Sequence, residues 1–317
     1  MESKIQKIDA QIDMYIRKCN ADGLTPKTIR NYKLSLGLFS RWWGDRDLLE
    51  LSEDYIVDYK AYLRDLPSLN EVTINNRLRD LRAFLRYSAA RGWCLNVKIK
   101  LLSIQEPDII PLDDDQLKEI YAACMMKKTL NRFRDKTIMR LMEETGIRLT
   151  ECMGLKLSDI NMHDGIIKLR STKNKKSRDA YLTPAMKKEL SLYLDGRIQF
   201  LSKNNLKSEY VWVSTNYRTL GQPLKTRTIQ EQIQEYGQIA GINIRVSPHT
   251  FRHTFARNFI VNGGDIIVLQ KLLGHSSLNM VLRYVRLFGT DKQNTYLKIM
   301  ENRAKNQKKQ KQKKWPY

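Results

Sequence analysis

Two prolines four residues apart, Pro107 and Pro111, divide this sequence into parts of different character. Proline disfavours helix, and the strand-like pieces within residues 103–111 are too short to build a core. We therefore predict a linker over 103–111, a helical domain over residues 1–102 and a mixed α+β domain over residues 112–302. The chain has 317 residues, which is enough for two such domains.

The first hundred residues carry the apolar spacing of helices. Thr25-Pro26 predicts a helix start, because a capping threonine followed by proline in the first turn is typical of one. Apolar residues from Ile29 to Trp43 then recur at spacings of three and four, which places them on one helix face. The predicted helices cover residues 4–20, a segment from Thr25, residues 52–66 and residues 71–91.

The second part mixes helix and strand. Residues 166–170 and 179–182 predict two short strands joined by a basic turn, and residues 211–213 predict a third strand. Helices are predicted over residues 112–115 onward, 134–145, 185–200 and from Pro248 to the end of the ordered chain, with breaks at glycines. The predicted fold class is mainly α with a small β-sheet.

The charge of the chain points to a polyanionic partner. There are 56 Lys and Arg against 34 Asp and Glu, a formal net charge of +22. Residues 303–317 hold seven basic and no acidic side chains, and this Lys/Gln-rich stretch predicts a disordered basic tail. A basic chain attracts nucleic acid, an anionic membrane or an acidic protein, and composition alone does not choose among them.

Other whole classes of protein are disfavoured by the composition. No run of about 18 apolar residues is present, so no membrane span is predicted, and the charged N-terminus does not resemble a secretion signal. The four cysteines stand far apart without a CxxC pair, which argues against a disulfide framework or a Cys-based zinc site. We expect a cytoplasmic protein without a metal or another cofactor.

Four motifs in the second part carry residues suited to phosphodiester chemistry. They are Thr145-Gly146-Ile147-Arg148, the basic turn of residues 171–178, Pro248-His249-Thr250-Phe251-Arg252-His253, and Leu272-Leu273-Gly274-His275 with Tyr284 nine residues beyond. Guanidinium groups match two phosphate oxygens each and stabilise the charge that builds on a pentacoordinate phosphorus. Tyrosine can attack as a nucleophile, and a cationic pocket favours its phenolate.

The order and spacing of these motifs resemble those of the tyrosine recombinases, the phage integrase and Xer family, over about residues 1–300 of this chain. The last four matching residues are separated by gaps of 3, 23 and 9 residues. The resemblance implies a core-binding domain and a catalytic domain that close around DNA as a C-shaped clamp. The matching residues are Arg148, Lys173, His249, Arg252, His275 and Tyr284.

The resemblance also implies the role of each matching residue. Tyr284 would attack the scissile phosphate, form a 3′-phosphotyrosyl link and release a 5′-hydroxyl, without metal or ATP. Arg148 and Arg252 would hold the non-bridging oxygens, and Lys173 would protonate the leaving oxygen. The two histidines of the set, His249 and His275, would assist proton transfer and bond the phosphate.

Further residues are predicted to support the site or to bind DNA. Glu151 is interpreted either as an acidic residue that orients Arg148 or His249, or as a surface carboxylate. His253, adjacent to Arg252, is interpreted as structural. Either neighbouring lysine of the turn, Lys175 or Lys176, competes with Lys173 for the catalytic role. The predicted DNA contacts are Arg79, Arg82, Arg86, Lys175, Lys176 and Arg178.

The hypothesis from sequence is a nucleoid-associated, site-specific recombinase that acts as a tetramer on two double-stranded DNA sites through a Holliday junction, with an accessory or partner recombinase possible. A C-terminal helix over residues 290–303 either docks on a neighbouring subunit, as the resemblance implies, or packs on its own domain. The chain begins with the core-binding helices, an Xer-like layout, and its basic tail favours a mobile-element integrase or transposase. A type IB topoisomerase and a non-catalytic DNA-binding protein on the same scaffold remain alternatives.

Overall fold

The chain divides into two compact units, residues 1–107 and residues 108–317. The computed structural model describes residues 7–104, 109–170, 177–274, 277–288 and 300–301. Each unit has its own hydrophobic core.

Over residues 7–104 the first unit contains four α-helices, and local capping explains the starts of three of them. Thr25 caps the second helix through its side chain with Pro26 in the first turn, as the sequence predicts, and Ser52 and Asn70 cap the next two. The predicted helices are present, with ends that differ by up to two residues where both are described. They are α1 (Lys7–Ala21), α2 (Pro26–Trp43), α3 (Glu53–Asp65) and α4 (Glu71–Ala89).

The stretch that follows α4 is held on that helix by side chains. The buried amide of Asn75 donates to the carbonyl of Leu102 at 2.9 Å and accepts from its backbone amide at 2.8 Å. Arg82 donates to the carbonyl of Ile99. Because a buried amide that loses its partners costs about 1–3 kcal/mol, these bonds fix the end of the first unit.

The second unit surrounds a small sheet with helices. Its strands are β1 (Ile160–Asn161), β2 (Ile166–Leu169) and β3 (Arg178–Tyr181), and they pair antiparallel in the order β1-β2-β3. Its helices are α5 (Asp114–Cys124), α6 (Leu130–Thr145), α7 (Leu149–Met153), α8 (Pro184–Lys203), α9 (Thr226–Ile239), α10 (Pro248–Val261), α11 (Ile266–Leu273) and α12 (Asn279–Phe288). The predicted mainly α fold with a small sheet is confirmed.

The third strand of the sheet is not the predicted one. Residues 211–213 are buried, but Val211 and Trp212 lie in a bend and Val213 forms only an isolated bridge with Pro223. Their backbone bonds go to Leu155 and Leu224, outside the sheet. The prediction was therefore wrong, because a buried apolar triplet does not by itself indicate a strand.

Three helices near the end of the chain form a small core of their own. Ala256 of α10, Leu269 and Leu273 of α11, and Val281 and Tyr284 of α12 are all buried against one another. This cluster is separate from the main core of the second unit. It places the helix of the Pro248–His253 motif beside the two helices that carry the last motif, with Leu273 and Tyr284.

Candidate active site

The C-terminal end of α11 gathers three arginines. Gly274 ends this helix in the left-handed conformation with φ +61°, which leaves the last carbonyls of the helix without intrahelical partners. Such carbonyls, at the negative end of the helix dipole, favour cations. Three consecutive carbonyls each accept from one guanidinium: Leu272 from Arg178 Nε at 2.8 Å, Leu273 from Arg252 Nη2 at 2.6 Å and Gly274 from Arg148 Nη2 at 2.6 Å.

Arg148 stands at the start of α7 and is oriented by Glu151. The backbone amide of Arg148 donates to Glu151 Oε2 at 3.0 Å, and its Nη1 donates to Oε1 at 3.1 Å. A capping carboxylate in the first turn thus holds both the backbone and the side chain of the arginine. This contact supports the prediction that Glu151 orients Arg148.

Arg178 lies at the start of β3 and forms a bidentate ion pair with Glu151. Its two Nη atoms donate to the two carboxylate oxygens at 2.8 Å each. Only 13% of the Arg178 side chain and 10% of the Glu151 side chain are exposed. The guanidinium of Arg178 thus bonds both Glu151 and the end of α11, and its contact with DNA stays a prediction.

Arg252 projects from α10 into the interior of the site. Its Nη1 donates to the carbonyl of Gly146, and its Nη2 donates to that of Leu273. Burial, followed by the charges of Arg148 and Arg178, lowers the pKa of Arg252 to about 9. A buried cation beside two others stores unfavourable electrostatic energy that an anion would relieve.

Gly146 allows the close approach of α6 to α10 and α11. A Cβ at this position would lie 2.4 Å from Phe255 Cδ1 and 2.8 Å from Leu273 Cδ2. Its φ of +61° adds backbone strain for any other residue. The glycine of the first motif is therefore needed to bring its carbonyl to Arg252.

Tyr284 is a buried residue of α12 with its hydroxyl turned to α10. The hydroxyl lies 2.7 Å from Nδ1 of His253, and the two ring centroids are 5.6 Å apart. Burial raises the pKa of Tyr284, while Arg252 and Arg283 act to lower it. The sequence analysis did not predict this contact between Tyr284 and His253.

His249 lies one turn before His253 on α10 and is exposed. The two ring centroids are 6.4 Å apart. Partial desolvation, followed by the charges of Arg252 and Arg148, lowers the pKa of His249. A neutral imidazole at the rim of an arginine cluster can donate or accept one hydrogen bond.

Four predicted residues lie outside the described residues. They are Lys173, Lys175 and Lys176 of the basic turn and His275. Their roles stay predictions.

The three arginines predicted to bind DNA from α4 have different surroundings. Arg86 is exposed. Arg79 is also exposed, and its Nη1 donates to Asn76 at 2.8 Å. Arg82 is partly buried and bonds the carbonyl of Ile99, so it contributes to the fold of the first unit as well.

We expect Glu151→Gln to lower the free energy of unfolding of the second unit by about 3 kcal/mol, because it breaks a buried ion pair and leaves Arg178 uncompensated. Burial alone would raise the pKa of Glu151, but Arg178, the Arg148 amide and the Arg148 charge bring it below its ordinary value. The stabilisation is therefore complete above the ordinary glutamate pKa of about 4.3 and is lost as the pH falls through the lowered pKa.

Calorimetric unfolding of the full chain from about pH 7 to about pH 3 checks this expectation. The free energies of unfolding of wild type and Glu151→Gln should become equal at the acidic end of this range. Glu231→Gln is the matched control, because Glu231 pairs with Arg227 at 2.7 Å on the exposed surface. A stability gap between wild type and Glu151→Gln that does not shrink on acidification would contradict the assignment.

The chain matches the phage integrase family over residues 111–290 and the N-terminal SAM-like domain of phage integrases over residues 12–92. A helical N-terminal unit, and a second unit in which arginines and a buried tyrosine meet at one helix end, agree with this match. The chain therefore belongs to the phage integrase family, and it is a tyrosine recombinase.

Individual relatives are similar over most of their length. The chain is 31% identical over 226 residues to the tyrosine recombinase XerC of Thermodesulfovibrio yellowstonii, across 70% of this chain and 73% of that protein. It is 30% identical over 233 residues to the tyrosine recombinase XerA of Saccharolobus solfataricus, across 73% of this chain and 69% of that protein.

Two solved structures show the same fold. A Tn1549 transposon integrase in complex with transposon right end DNA superposes with a TM-score of 0.72 at 15% identity, over 93% of this chain and 99% of that one. A lambda integrase dimer bound to a core site superposes with a TM-score of 0.68 at 20% identity, over 87% of this chain and 94% of that one. Among the described residues no helix is long and apolar enough to cross a membrane.

Proposed function

We propose that this tyrosine recombinase cleaves and rejoins double-stranded DNA at specific sites through Tyr284. The phenol oxygen forms a bond to the scissile phosphorus, and the 5′-oxygen of the next nucleotide leaves. The phosphotyrosyl link keeps the energy of the phosphodiester, so a second 5′-hydroxyl can attack it and rejoin the strand without ATP.

The proposal rests on one observation, the anchoring of Arg148 and Arg252 on the adjacent carbonyls of Leu273 and Gly274. Neighbouring anchors bring the two guanidiniums into one site, beside the helix that carries Tyr284. A phosphate there would receive hydrogen bonds from both arginines and relieve their mutual repulsion. The same bonds would stabilise the added negative charge of the pentacoordinate transition state.

Proton transfer at the leaving oxygen is assigned to Lys173 of the basic turn. His249, at the exposed rim of the arginine cluster, would hydrogen-bond the phosphate. His275 directly follows Gly274 in the chain and would act together with His249. These three roles follow the family pattern, and the position of His249 on α10 supports its part.

DNA would be held by both units. The exposed Arg79 and Arg86 on α4 suit phosphate contacts from the first unit, with Arg82 beside them. Lys175 and Lys176 of the turn and the basic residues 303–317 would add charge from the second unit. With DNA as its substrate, the enzyme would act in the cytoplasm, at the nucleoid.

We further propose that four subunits assemble on two DNA sites and exchange strands through a Holliday junction, as in a mobile-element integrase with an Xer-like layout. A lambda integrase tetramer bound to a Holliday junction shares this fold at 20% identity, with a TM-score of 0.68, which supports the assembly. The C-terminal residues 290–303 would dock on a neighbouring subunit. An accessory protein or a partner recombinase would take part in this assembly.

Short nicked duplexes tiled across the DNA that flanks the gene test the proposed reaction. The nick lets the cleaved end diffuse away and traps the enzyme on DNA. We expect the full-length wild type, in EDTA, to give an SDS-resistant adduct on some of these duplexes, with the nucleotides on Tyr284 after peptide mapping by mass spectrometry.

Specific binding without any adduct would favour the non-catalytic alternative. Relaxation of a plasmid that lacks the cleaved site would favour the topoisomerase alternative. Either result would contradict the proposed recombination.

A further inference from the structure

The hydroxyl of Tyr284 faces an imidazole that the proposed reaction does not use. His253 Nδ1 lies 2.7 Å from the phenol oxygen, and both residues belong to packed helices, α10 and α12. His253 is partly buried and Tyr284 is 2% exposed, so bulk water has little access to this hydroxyl. The contact is therefore a defined pair in the interior of the site.

Attack by a phenol requires that its proton go somewhere. With an ordinary pKa of about 10, and with burial raising it further, the phenol of Tyr284 is protonated at neutral pH. Within the described part of the chain, the charged groups that act on it are the cations Arg252 and Arg283. They stabilise a phenolate, but as cations they do not accept its proton.

The geometry decides which nitrogen of His253 can take the proton. A neutral imidazole carries one N–H, and the tautomer with that hydrogen on Nε2 presents the lone pair of Nδ1 to the phenol. In this arrangement the Tyr284 hydroxyl donates and Nδ1 accepts. A donor and an acceptor at this distance are in reach for direct proton transfer.

We propose that His253 is the base that accepts the phenolic proton of Tyr284 when the tyrosine attacks DNA, an inference that rests on the proposed function. In this step the O–H bond of Tyr284 breaks, its oxygen bonds the phosphorus, and the proton moves to Nδ1. The bond from phosphorus to the 5′-oxygen breaks, and that oxygen takes a proton from Lys173. On rejoining, the imidazolium returns the proton to the phenol.

The charges around His253 make this base dependent on the substrate. Burial, followed by the effects of His249, Arg252 and Arg283, lowers the pKa of His253 to about 4. The resting imidazole is thus neutral and able to accept, but too weak a base to ionise the phenol. A phosphate between the arginines would add the opposite charge and strengthen this base when DNA is bound.

The first test is the rate of adduct formation by full-length His253→Phe and His253→Gln, on the nicked duplex that gives the most adduct with wild type. Phenylalanine keeps a ring between the helices and removes the nitrogen. We expect a loss of about 100-fold or more in the cleavage rate with DNA binding retained. A wild-type rate in His253→Phe, under conditions in which Tyr284→Phe gives no adduct, would overturn the inference.

The second test separates proton acceptance from a packing role. The test replaces Tyr284 with 3,5-difluorotyrosine, whose phenol is more acidic. We expect this replacement to raise the cleavage rate of His253→Phe by a larger factor than it raises the rate of the enzyme that keeps His253. A purely structural defect would not respond to the acidity of the nucleophile. Equal effects of the fluorinated residue in both backgrounds would overturn the inference.

A third measurement shows whether His253 acts on the nucleophile or on the leaving group. A duplex with sulfur in place of the bridging 5′-oxygen has a leaving group that needs no proton. His253→Phe should stay slow on this duplex, and full recovery there would place the residue on the leaving-group side and refute its role as base. If wild type itself gives no adduct, or if Tyr284→Phe does, the proposed function fails instead.

Discussion

Tyr284→Phe is expected to abolish the SDS-resistant adduct while specific DNA binding remains. The substitution removes one oxygen, which is the atom that would bond phosphorus, and keeps the ring buried among α10, α11 and α12. No other group can take its place at the same position, so the effect is a complete loss rather than a reduced rate. Adduct gels and binding assays on the same nicked duplexes measure the two properties together.

Tyr236→Phe is the matched control for this experiment. Tyr236 is also a buried tyrosine of the second unit, and its hydroxyl bonds Asp135 at 2.7 Å, within the main core. Its loss should lower stability, because a buried carboxylate loses a donor, and should leave adduct formation intact. An adduct of normal yield from Tyr284→Phe would show that another of the fifteen tyrosines is the nucleophile.

Arg252→Lys should reduce the cleavage rate by about 100- to 1,000-fold, the usual cost of losing one preorganised donor to a transition-state oxyanion. The guanidinium bonds the carbonyls of Gly146 and Leu273 with two different nitrogens. A single ammonium cannot reproduce this fork, so it keeps the charge and loses the orientation. Single-turnover cleavage of the nicked duplex measures the effect.

Arg197→Lys is the control that separates catalysis from folding. Arg197 is 2% exposed and donates to the carbonyls of Ser208 and Tyr210, so it is another buried arginine held by backbone oxygens. Arg197→Lys should lower the stability about as much as Arg252→Lys does. The folded fraction of Arg197→Lys should cleave at the wild-type rate. Equal cleavage rates for Arg252→Lys and wild type would contradict the role of Arg252.

Much of the fold could be predicted from local sequence signals, because the ends of helices depend on neighbouring residues. Thr25 with Pro26 and Ser52 mark helix starts, and Gly274 marks a helix end, each through chemistry within one turn. Residues 211–213 were misassigned because their partners are distant in sequence. A short buried segment finds its hydrogen bonds only when the whole core is assembled.

The supporting residues of the site were harder to predict than the motif residues. The sequence analysis predicted a DNA contact for Arg178 from the charge of its turn. Its partners in the structure, Glu151 and Leu272, lie 27 and 94 residues away in the chain. His253 did carry a signal, since it is four residues after His249 and shares its helix face. What sequence could not supply was the packing of α12, which sets Tyr284 against it.

The carbonyls at the end of α11 give the active site a common reference point. Arg148, Arg178 and Arg252 arrive from three separate segments, yet each is aligned to an oxygen of the same three-residue stretch. Their mutual alignment is thus set at these oxygens and does not depend on the length of the chain that connects them. The alignment of the three arginines therefore tolerates a change in the length of the chain between these segments, as long as this one helix end keeps its place.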